Sequence, residues 1–227
     1  MCGRYNLIAS EQEIVEHFQL PGLPEYEPGY NITPGQPILN VVQLADGSRK
    51  GAYLQWGLLP SWCKDPRIAS HMINARRETL AQKPAFRSAL KKRRCLIPAT
   101  GFYEWQQTPT GKQPYHIHRP DNSLFAFAGL WEHWENETES IYSCSIVTTA
   151  ANPLMQPVHA RMPVIVAPQN YPHWLDRKAS QEALHTVLDS DGYAQLQLTP
   201  ISTRVNNPAH NDPDVLKAVA LQADNPA

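Results

Sequence analysis

The sequence lacks any apolar run long enough to cross a membrane, and it lacks a charged segment followed by an apolar one near its start. We therefore expect no membrane partner and no secretory signal. Cysteine is scarce, since only Cys2, Cys63, Cys95 and Cys144 occur, far apart and without a C-x-x-C pair. This spacing indicates neither a zinc site nor a disulfide framework. The sequence thus predicts a cytoplasmic protein with reduced thiols, no metal site and no cofactor.

Net charge is nearly absent as well, at −1, so composition does not indicate a protein that binds polyanions over its whole surface. The positive charge is nevertheless concentrated. Ten of the 20 Lys and Arg residues fall within residues 64–94, against only Asp65 and Glu78. A local basic surface on a nearly neutral protein is common among phosphate-binding proteins. A solvated helix face is the more usual explanation of a charge run alone, so both interpretations stay open here.

Glycine is scarce beside proline, with 11 glycines against 21 prolines, which favours short elements joined by fixed loops. Apolar patterns predict strands at about 38–44, 48–56, 95–107, 113–119, 124–133, 141–149, 164–166 and 196–202. The third of these is interrupted around Pro98 and Gly101. Helices are predicted after a capping box at Ser10 and Glu13, in the basic stretch up to about Arg94, and near 170–176 and 180–189.

Many short strands with few helices are typical of an α+β fold with mostly antiparallel pairing. The sequence contains no repeat, no low-complexity linker and no break in composition, so we predict one domain over residues 1–227. Residues from about 206 onward carry several prolines and little apolar pattern. We expect a loosely packed tail there.

Cys2 is the first candidate for chemistry. It is small and follows the initiator methionine, so we expect a methionine aminopeptidase to leave it at the N-terminus. Its amine and thiol would then sit on adjacent carbons and titrate near pH 8 and about 8.5. The amine can form a Schiff base with an aldehyde, onto which the thiol closes as a thiazolidine, or the thiol can attack an acyl carbon. Arg4 is expected to favour the thiolate by charge. An ordinary small residue at a frayed terminus is the alternative.

Three polar side chains are further candidates. Glu104 lies in an apolar strand, where it needs a partner or a raised pKa unless it points to solvent. His159 precedes a strand and is either a general acid or base or a surface histidine. Asn74 either orients a substrate oxygen or caps the following helix. Three aromatic residues either stack on bases or belong to the core: Trp56, Trp62 and Phe86.

Several short motifs occur together in an order found in one known family. They are Cys2-Gly3-Arg4-Tyr5, Tyr30-Asn31 with Pro34, Trp56-Gly57-Leu58 with Pro60 and Trp62, Ile73-Asn74-Ala75-Arg76 with Glu78-Thr79, Arg94-Cys95-Leu96-Ile97-Pro98, Gly101-Phe102-Tyr103-Glu104-Trp105, Ala128-Gly129-Leu130-Trp131, and His159 with Arg161-Met162-Pro163. In this set the chain, from Cys2 to about Val166, resembles the SOS-response-associated peptidase family, the abasic-site processing proteins.

The resemblance implies a bifurcated, barrel-like and mostly antiparallel sheet flanked by helices. It implies that Cys2 crosslinks, as a thiazolidine, to abasic sites in single-stranded DNA and shields them during the DNA damage response. By the same resemblance, Asn74 positions Cys2 or the sugar, and Glu104 shuttles protons. His159 handles the sugar oxygen during ring opening. Autoproteolytic exposure of Cys2 and a lyase side activity are also implied, although only Met1 precedes Cys2 here.

The resemblance extends to DNA contacts. Arg4, Arg76 and Arg161 match positions that hold phosphates, and Trp62 matches an aromatic residue that meets bases beside the lesion. We therefore expect a monomer whose partner is single-stranded DNA containing abasic sites and which associates with the nucleoid when bound. One departure is Ala160, where the family often has an acidic residue between this histidine and arginine.

Two other functions remain as alternatives. An N-terminal-cysteine glutamine amidotransferase also begins Met-Cys-Gly, but it does not explain the basic residues 64–94. A non-catalytic module for single-stranded DNA would bind reversibly with salt and form no covalent product. Release of ammonia from glutamine identifies the first, and the absence of an adduct identifies the second.

Overall fold

Short strands make up most of the regular structure in the computed structural model, which describes residues 2–189, 192–193 and 195–221. The strands are β1 (Tyr5–Leu7), β2 (Gly29–Ile32), β3 (Pro37–Gln43), β4 (Arg49–Trp56), β5 (Asn74–Arg76), β6 (Arg94–Ala99), β7 (Gly101–Thr108), β8 (Gly111–His118), β9 (Phe125–Glu135), β10 (Ser140–Ala150), β11 (Arg161–Pro163), β12 (Ile165–Val166) and β13 (Gln197–Pro200). The α-helices are α1 (Glu11–Phe18), α2 (Pro84–Lys92), α3 (Tyr171–Leu175) and α4 (Gln181–Asp189).

Five strands close into a barrel. Antiparallel pairs join β4 to β3, β3 to β6, β6 to β9 and β9 to β10, and a parallel pair between β10 and β4 completes the ring. Strands β5 and β11 add to β10, and β12 adds to β9. A second, antiparallel sheet has the order β13-β8-β7-β1-β2. The predicted α+β, barrel-like and mostly antiparallel fold is confirmed.

The two sheets separate where the sequence interrupts its long strand. Residues 94–99 pair in the barrel and residues 101–108 pair in the second sheet, with Thr100 between them. Aromatic side chains fill the space where the sheets meet. The ring of Tyr5 lies 5.4 Å from that of Trp56 and 5.8 Å from that of Phe127, both edge-on. Such edge-to-face packing fixes β1 against the barrel.

Helix α1 forms as its sequence predicts. The Ser10 hydroxyl accepts from the Glu13 backbone N–H at 3.3 Å, and the Glu13 carboxylate accepts from the Ser10 N–H at 2.7 Å. This capping box satisfies donors that a helix start otherwise leaves open. The buried face carries Ile14 and Phe18, and the helix ends at Gln19 in a left-handed conformation. The other predicted helices and strands occur within a few residues of their expected bounds.

The basic stretch differs from a uniformly exposed surface. Arg77 pairs with Asp189, and Arg93 pairs with the buried Glu132. Six basic side chains of the stretch are exposed without an ion pair among the described residues: Lys64, Arg76, Lys83, Arg87, Lys91 and Lys92. The basic surface is therefore smaller than composition indicates.

Arg94 is the clearest case of a basic residue with an internal role. Helix α2 ends at Lys92, and Arg94 opens β6 with its guanidinium buried. It donates to the backbone carbonyls of Leu90, Trp174 and Asp176. Because a helix leaves its last carbonyls without partners inside the helix, Arg94 satisfies the ends of α2 and α3 together.

The segment after residue 206 packs more tightly than the loose tail expected there. Val215 is fully buried beside Tyr103, Ile201 and Val205. The backbone N–H of Val219 donates to Pro200 at 2.9 Å. Residues 222–227, the remainder of the expected tail, lie outside the described residues. None of the described helices has both the length and the apolar character needed to span a membrane.

Replacing Arg94 tests its internal role. We expect Arg94→Met to lower the free energy of unfolding by about 3 kcal/mol, because three carbonyls lose a charged donor. Urea unfolding at equilibrium measures this value. The control is Lys91→Met on the exposed face of α2, which should change stability by less than about 0.5 kcal/mol. Equal effects of the two substitutions would show that the basic stretch is uniformly exposed.

Candidate active site

Cys2 lies where the second sheet meets the barrel. The backbone N–H of Tyr103 in β7 donates to the carbonyl of Arg4 at 3.0 Å, which extends the pairing of β1 with β7 towards the N-terminus. From the barrel side, Nδ2 of Asn74 in β5 donates to the carbonyl of Cys2 at 2.8 Å. The Cys2 side chain is fully buried. Both sheets therefore fix the backbone of Cys2.

Glu104 and His159 complete the group. Glu104 is buried in β7, one residue after Tyr103. Its charge acts on the Cys2 thiol, and the charge of His159 acts on Glu104. His159 is the second-last residue of the connection between β10 and β11, and Gln106 of β7 donates to the Pro157 carbonyl in that connection at 3.1 Å. The structure thus brings together the four residues predicted to carry chemistry.

Burial sets the protonation of this group. It raises the pKa of the Cys2 thiol strongly, and the Glu104 carboxylate raises it further. Burial also raises the pKa of Glu104, and the charge of His159 works in the opposite direction. The expectation of a Cys2 thiolate favoured by Arg4 is therefore wrong, because burial raises the thiol pKa more than the backbone hydrogen bond from Arg4 lowers it. In the buried site Cys2 is a neutral thiol beside a carboxyl group that readily binds a proton.

The backbone of Arg161 holds the His159 ring. Nδ1 of His159 lies 2.9 Å from the Arg161 backbone nitrogen and 3.0 Å from the Arg161 carbonyl oxygen. A neutral ring can accept from the N–H, and a protonated ring can donate to the carbonyl. Ala160 is exposed, so the ring is oriented without an acidic side chain at that position.

Asn74 presents a second polar atom at the site. Its Nδ2 binds Cys2, while its Oδ1 is buried and has no hydrogen-bond partner among the described residues. A buried acceptor without a partner is costly, so a donor at this position would be favourable. The α-amine of a mature Cys2 or a hydroxyl of a bound sugar are donors of the required kind. The side chain orients Cys2 and does not cap a helix.

Arg4 is held inside the protein more than the sequence indicates. Its Nη1 donates to Oδ1 of Asn31 at 2.8 Å and to the carbonyl of Val205 at 2.7 Å. The guanidinium also lies 5.9 Å from the ring centre of Trp105. Asn31 and the segment around Val205 therefore support Cys2 through Arg4. The Tyr30-Asn31 motif drew attention to Asn31 in the sequence. No pattern in the sequence indicated that Arg4 and Asn31 would both bind the carbonyl of Val205.

The remaining predicted DNA-binding residues differ in their surroundings. Trp62 is 61% exposed in the connection after β4, whereas Trp56 and Phe86 are buried core residues. Arg76 is exposed at the end of β5, two residues after Asn74. Arg161 forms an ion pair with Glu78. The sequence included Glu78 in a family motif but did not indicate this contact. Trp62 and Arg76 are thus accessible, and Arg161 is already paired.

A metal site would require a cluster of ligating side chains in the structure. The described residues contain no group of three or more His, Cys, Asp or Glu side chains arranged to hold a metal ion.

Comparisons with known proteins found a family model and named relatives that match most of the chain. The model of the SOS response associated peptidase family matches residues 1–208. The chain is 41% identical over 224 residues to the abasic site processing protein YoqW of Bacillus subtilis, covering 96% of this chain and 100% of that protein. It is 31% identical to the abasic site processing protein HMCES of Xenopus tropicalis, covering 87% of this chain and 68% of that protein.

Solved structures show the same fold. A protein from Bacteroides thetaiotaomicron superimposes with a TM-score of 0.83 at 24% identity, covering 96% of this chain and 100% of that one. A protein from Bordetella bronchiseptica superimposes with a TM-score of 0.76 at 25% identity, covering 88% of this chain and 100% of that one.

The raised pKa of Glu104 predicts a pH-dependent cost to stability. The pKa of Glu104 is higher in the folded chain than in the unfolded chain. The contribution of this carboxyl to folding stability is therefore fully present below its unfolded pKa, and it is lost as the pH rises through the folded pKa. Glu104→Gln removes this loss. The variant should therefore melt higher than the native protein at about pH 8, by roughly 2–4 °C for each kcal/mol recovered, and gain less at about pH 4.5. Thermal melts at both pH values measure the difference, and an equal gain at both contradicts the prediction.

Proposed function

Since the chain belongs to the SOS response associated peptidase family, we propose that it captures the ring-opened aldehyde of abasic sites in single-stranded DNA through Cys2. The names of its relatives supply the lesion, because YoqW and HMCES are both called abasic site processing proteins. The observation that carries the proposal is the meeting of Cys2 with Asn74 and Glu104 at the junction of the two sheets. An N-terminal amine and thiol in such a site are suited to an aldehyde.

The proposed reaction starts from a chain whose first residue is Cys2. Its amine attacks the C1′ aldehyde, and the resulting carbinolamine loses water to give a Schiff base. The thiol then adds to the imine carbon, and its proton passes to the nitrogen, which closes the thiazolidine. The product has the combined mass of protein and DNA less one water. A Schiff base also permits β-elimination of the 3′ phosphate, so strand cleavage competes until the ring closes.

The neutral thiol fits the order of these steps. An uncharged amine attacks first, and a thiol held protonated does not compete for the aldehyde as a thiolate. Glu104, with its raised pKa, takes the proton from the amine and returns one to the departing hydroxyl. His159 serves the sugar oxygen as the furanose ring opens. Asn74 holds the Cys2 backbone and offers Oδ1 to the amine.

The exposed basic and aromatic residues supply the proposed path for the strand. Arg76 lies two residues from Asn74 and is open to a phosphate. Trp62 offers an exposed ring on which a base beside the lesion stacks. The exposed lysines of α2 add local positive charge to a protein whose net charge is −1. The chain thus attracts DNA at one region, in keeping with association with the nucleoid.

The proposal is tested by intact mass after the mature protein is mixed with an abasic single strand. We expect an adduct of the combined mass less one water that survives heating. Cys2→Ser keeps the amine, so it should give an adduct only after borohydride reduction. A chain with extra residues before Cys2 keeps the thiol but not the amine, and it should give none. A heat-stable adduct from either altered chain in the absence of borohydride would exclude the thiazolidine.

The acid–base groups should change rate more than affinity. We expect Glu104→Gln and His159→Ala to slow crosslinking at saturating DNA by about 10²–10⁴-fold, because a positioned acid or base contributes that much. Binding to an intact strand should change little. The control is His133→Ala on β9, where the ring stacks on Tyr142 and takes no part in the Cys2 group. A loss of binding equal to the loss of rate would mark both residues as structural.

A further inference from the structure

Glu78 occupies the side of Arg161 that suits a phosphate. Nη1 of Arg161 donates to Oε1 of Glu78 at 2.6 Å, and Nη2 donates to Oε2 at 3.0 Å. This is a two-bond contact between a guanidinium and a carboxylate. Arginine binds phosphate oxygens with the same pair of parallel bonds. The Glu78 carboxylate therefore stands where two phosphate oxygens would bind.

The other donors of Arg161 face inwards. Nη2 also donates to the carbonyl of Thr148 at 2.7 Å and lies 3.2 Å from its hydroxyl, which anchors the guanidinium on β10. Nε is buried and has no partner among the described residues. The Arg161 side chain is only 17% exposed, whereas that of Glu78 is 49% exposed. Glu78 is therefore the partner that solvent or a ligand can reach, and Arg161 is the one anchored on β10.

We propose that Glu78 is a built-in competitor of the DNA phosphate, which occupies the η nitrogens of Arg161 in the unbound protein and leaves when a single strand binds. The inference rests on the proposed function, because it requires a phosphate beside Cys2. Glu78 is thereby a residue that determines how weakly intact DNA is held.

Charge explains why such a competitor matters. A paired Arg161 and Glu78 carry no net charge, so they add nothing to the long-range attraction of a strand. A phosphate gains Arg161 only by displacing a carboxylate that is already well bonded. An intact strand forms no covalent bond, so nothing offsets the free energy lost when the contact between Arg161 and Glu78 is broken. At an abasic site, capture by Cys2 supplies the additional free energy. Weak binding of intact DNA then coexists with durable capture of the lesion.

The test uses an unmodified single-stranded oligonucleotide, whose binding is followed by fluorescence anisotropy over a range of salt concentrations. Glu78→Gln and Glu78→Ala should both bind about fivefold more tightly than the native chain, which is the ceiling set by exposed ion pairs. The slope of log affinity against log salt should change by much less than about 0.7, the value for one phosphate contact on a single strand, because Arg161 meets the same phosphate in the native and variant complexes.

Two controls separate competition from a general effect of charge. Glu137→Gln removes an exposed carboxylate that has no ion pair among the described residues, at the turn between β9 and β10, and it should change affinity much less. Adding Arg161→Ala to Glu78→Gln should abolish the gain. If Glu78 instead orients Arg161, both Glu78 variants will bind less tightly, and the inference is overturned. A gain equal to that of Glu137→Gln also overturns it.

Failure of the inference can be told apart from failure of the proposed function. Native protein that gives no adduct with an abasic strand counts against the function, whatever the Glu78 variants do with intact DNA. Native protein that forms the adduct while the Glu78 variants bind intact DNA no better counts against the role of Glu78 alone.

Discussion

A buried hydrogen-bond network around Asn6 holds β1 in place, and the position of Cys2 depends on it. Oδ1 of Asn6 accepts from the Thr100 hydroxyl at 2.7 Å, and Nδ2 lies 2.8 Å from the Tyr103 hydroxyl and 2.9 Å from Nε2 of His116. Nδ2 can only donate, so Nε2 of His116 accepts and the ring is neutral. Burial agrees with this, since it lowers the pKa of His116 to about 3. A Cβ at Gly101 would lie 2.0 Å from that nitrogen, which is why a glycine opens β7.

Burial then determines the chemistry available at Cys2. With β1 fixed against β7, the Cys2 side chain lies out of water beside Glu104, and both groups are shifted towards their neutral forms. Such a site is poor for a thiolate nucleophile but well suited to an amine that reacts first and a thiol that closes the ring. The same desolvation makes the ionised Glu104 unfavourable for stability. Stability and reactivity are therefore opposed at this residue.

Charge is organised at two scales. Across the whole chain positive and negative residues nearly cancel. Within residues 64–94, Arg94 satisfies backbone carbonyls and Arg93 pairs with a buried carboxylate, while Arg76 remains open beside Asn74. Arg161 reaches the same region from β11 but is neutralised by Glu78. A count of basic residues therefore overstates the attraction available to DNA, and the partners of each residue decide it.

Local rules in the sequence were enough for much of this protein. The capping box at Ser10 determined the start of α1, and the interruption around Pro98 and Gly101 marked where one strand becomes two, because capping and turn chemistry act between residues close in the chain. Ordered motifs also singled out Cys2 and the three residues that the structure brings near it, Asn74, Glu104 and His159. Only the tertiary structure decided that the Cys2 thiol is protonated, that residues 206–221 pack against the second sheet, and that Glu78 binds Arg161. Each of these depends on desolvation or on contacts between residues distant in sequence, and neither has a local pattern in the chain.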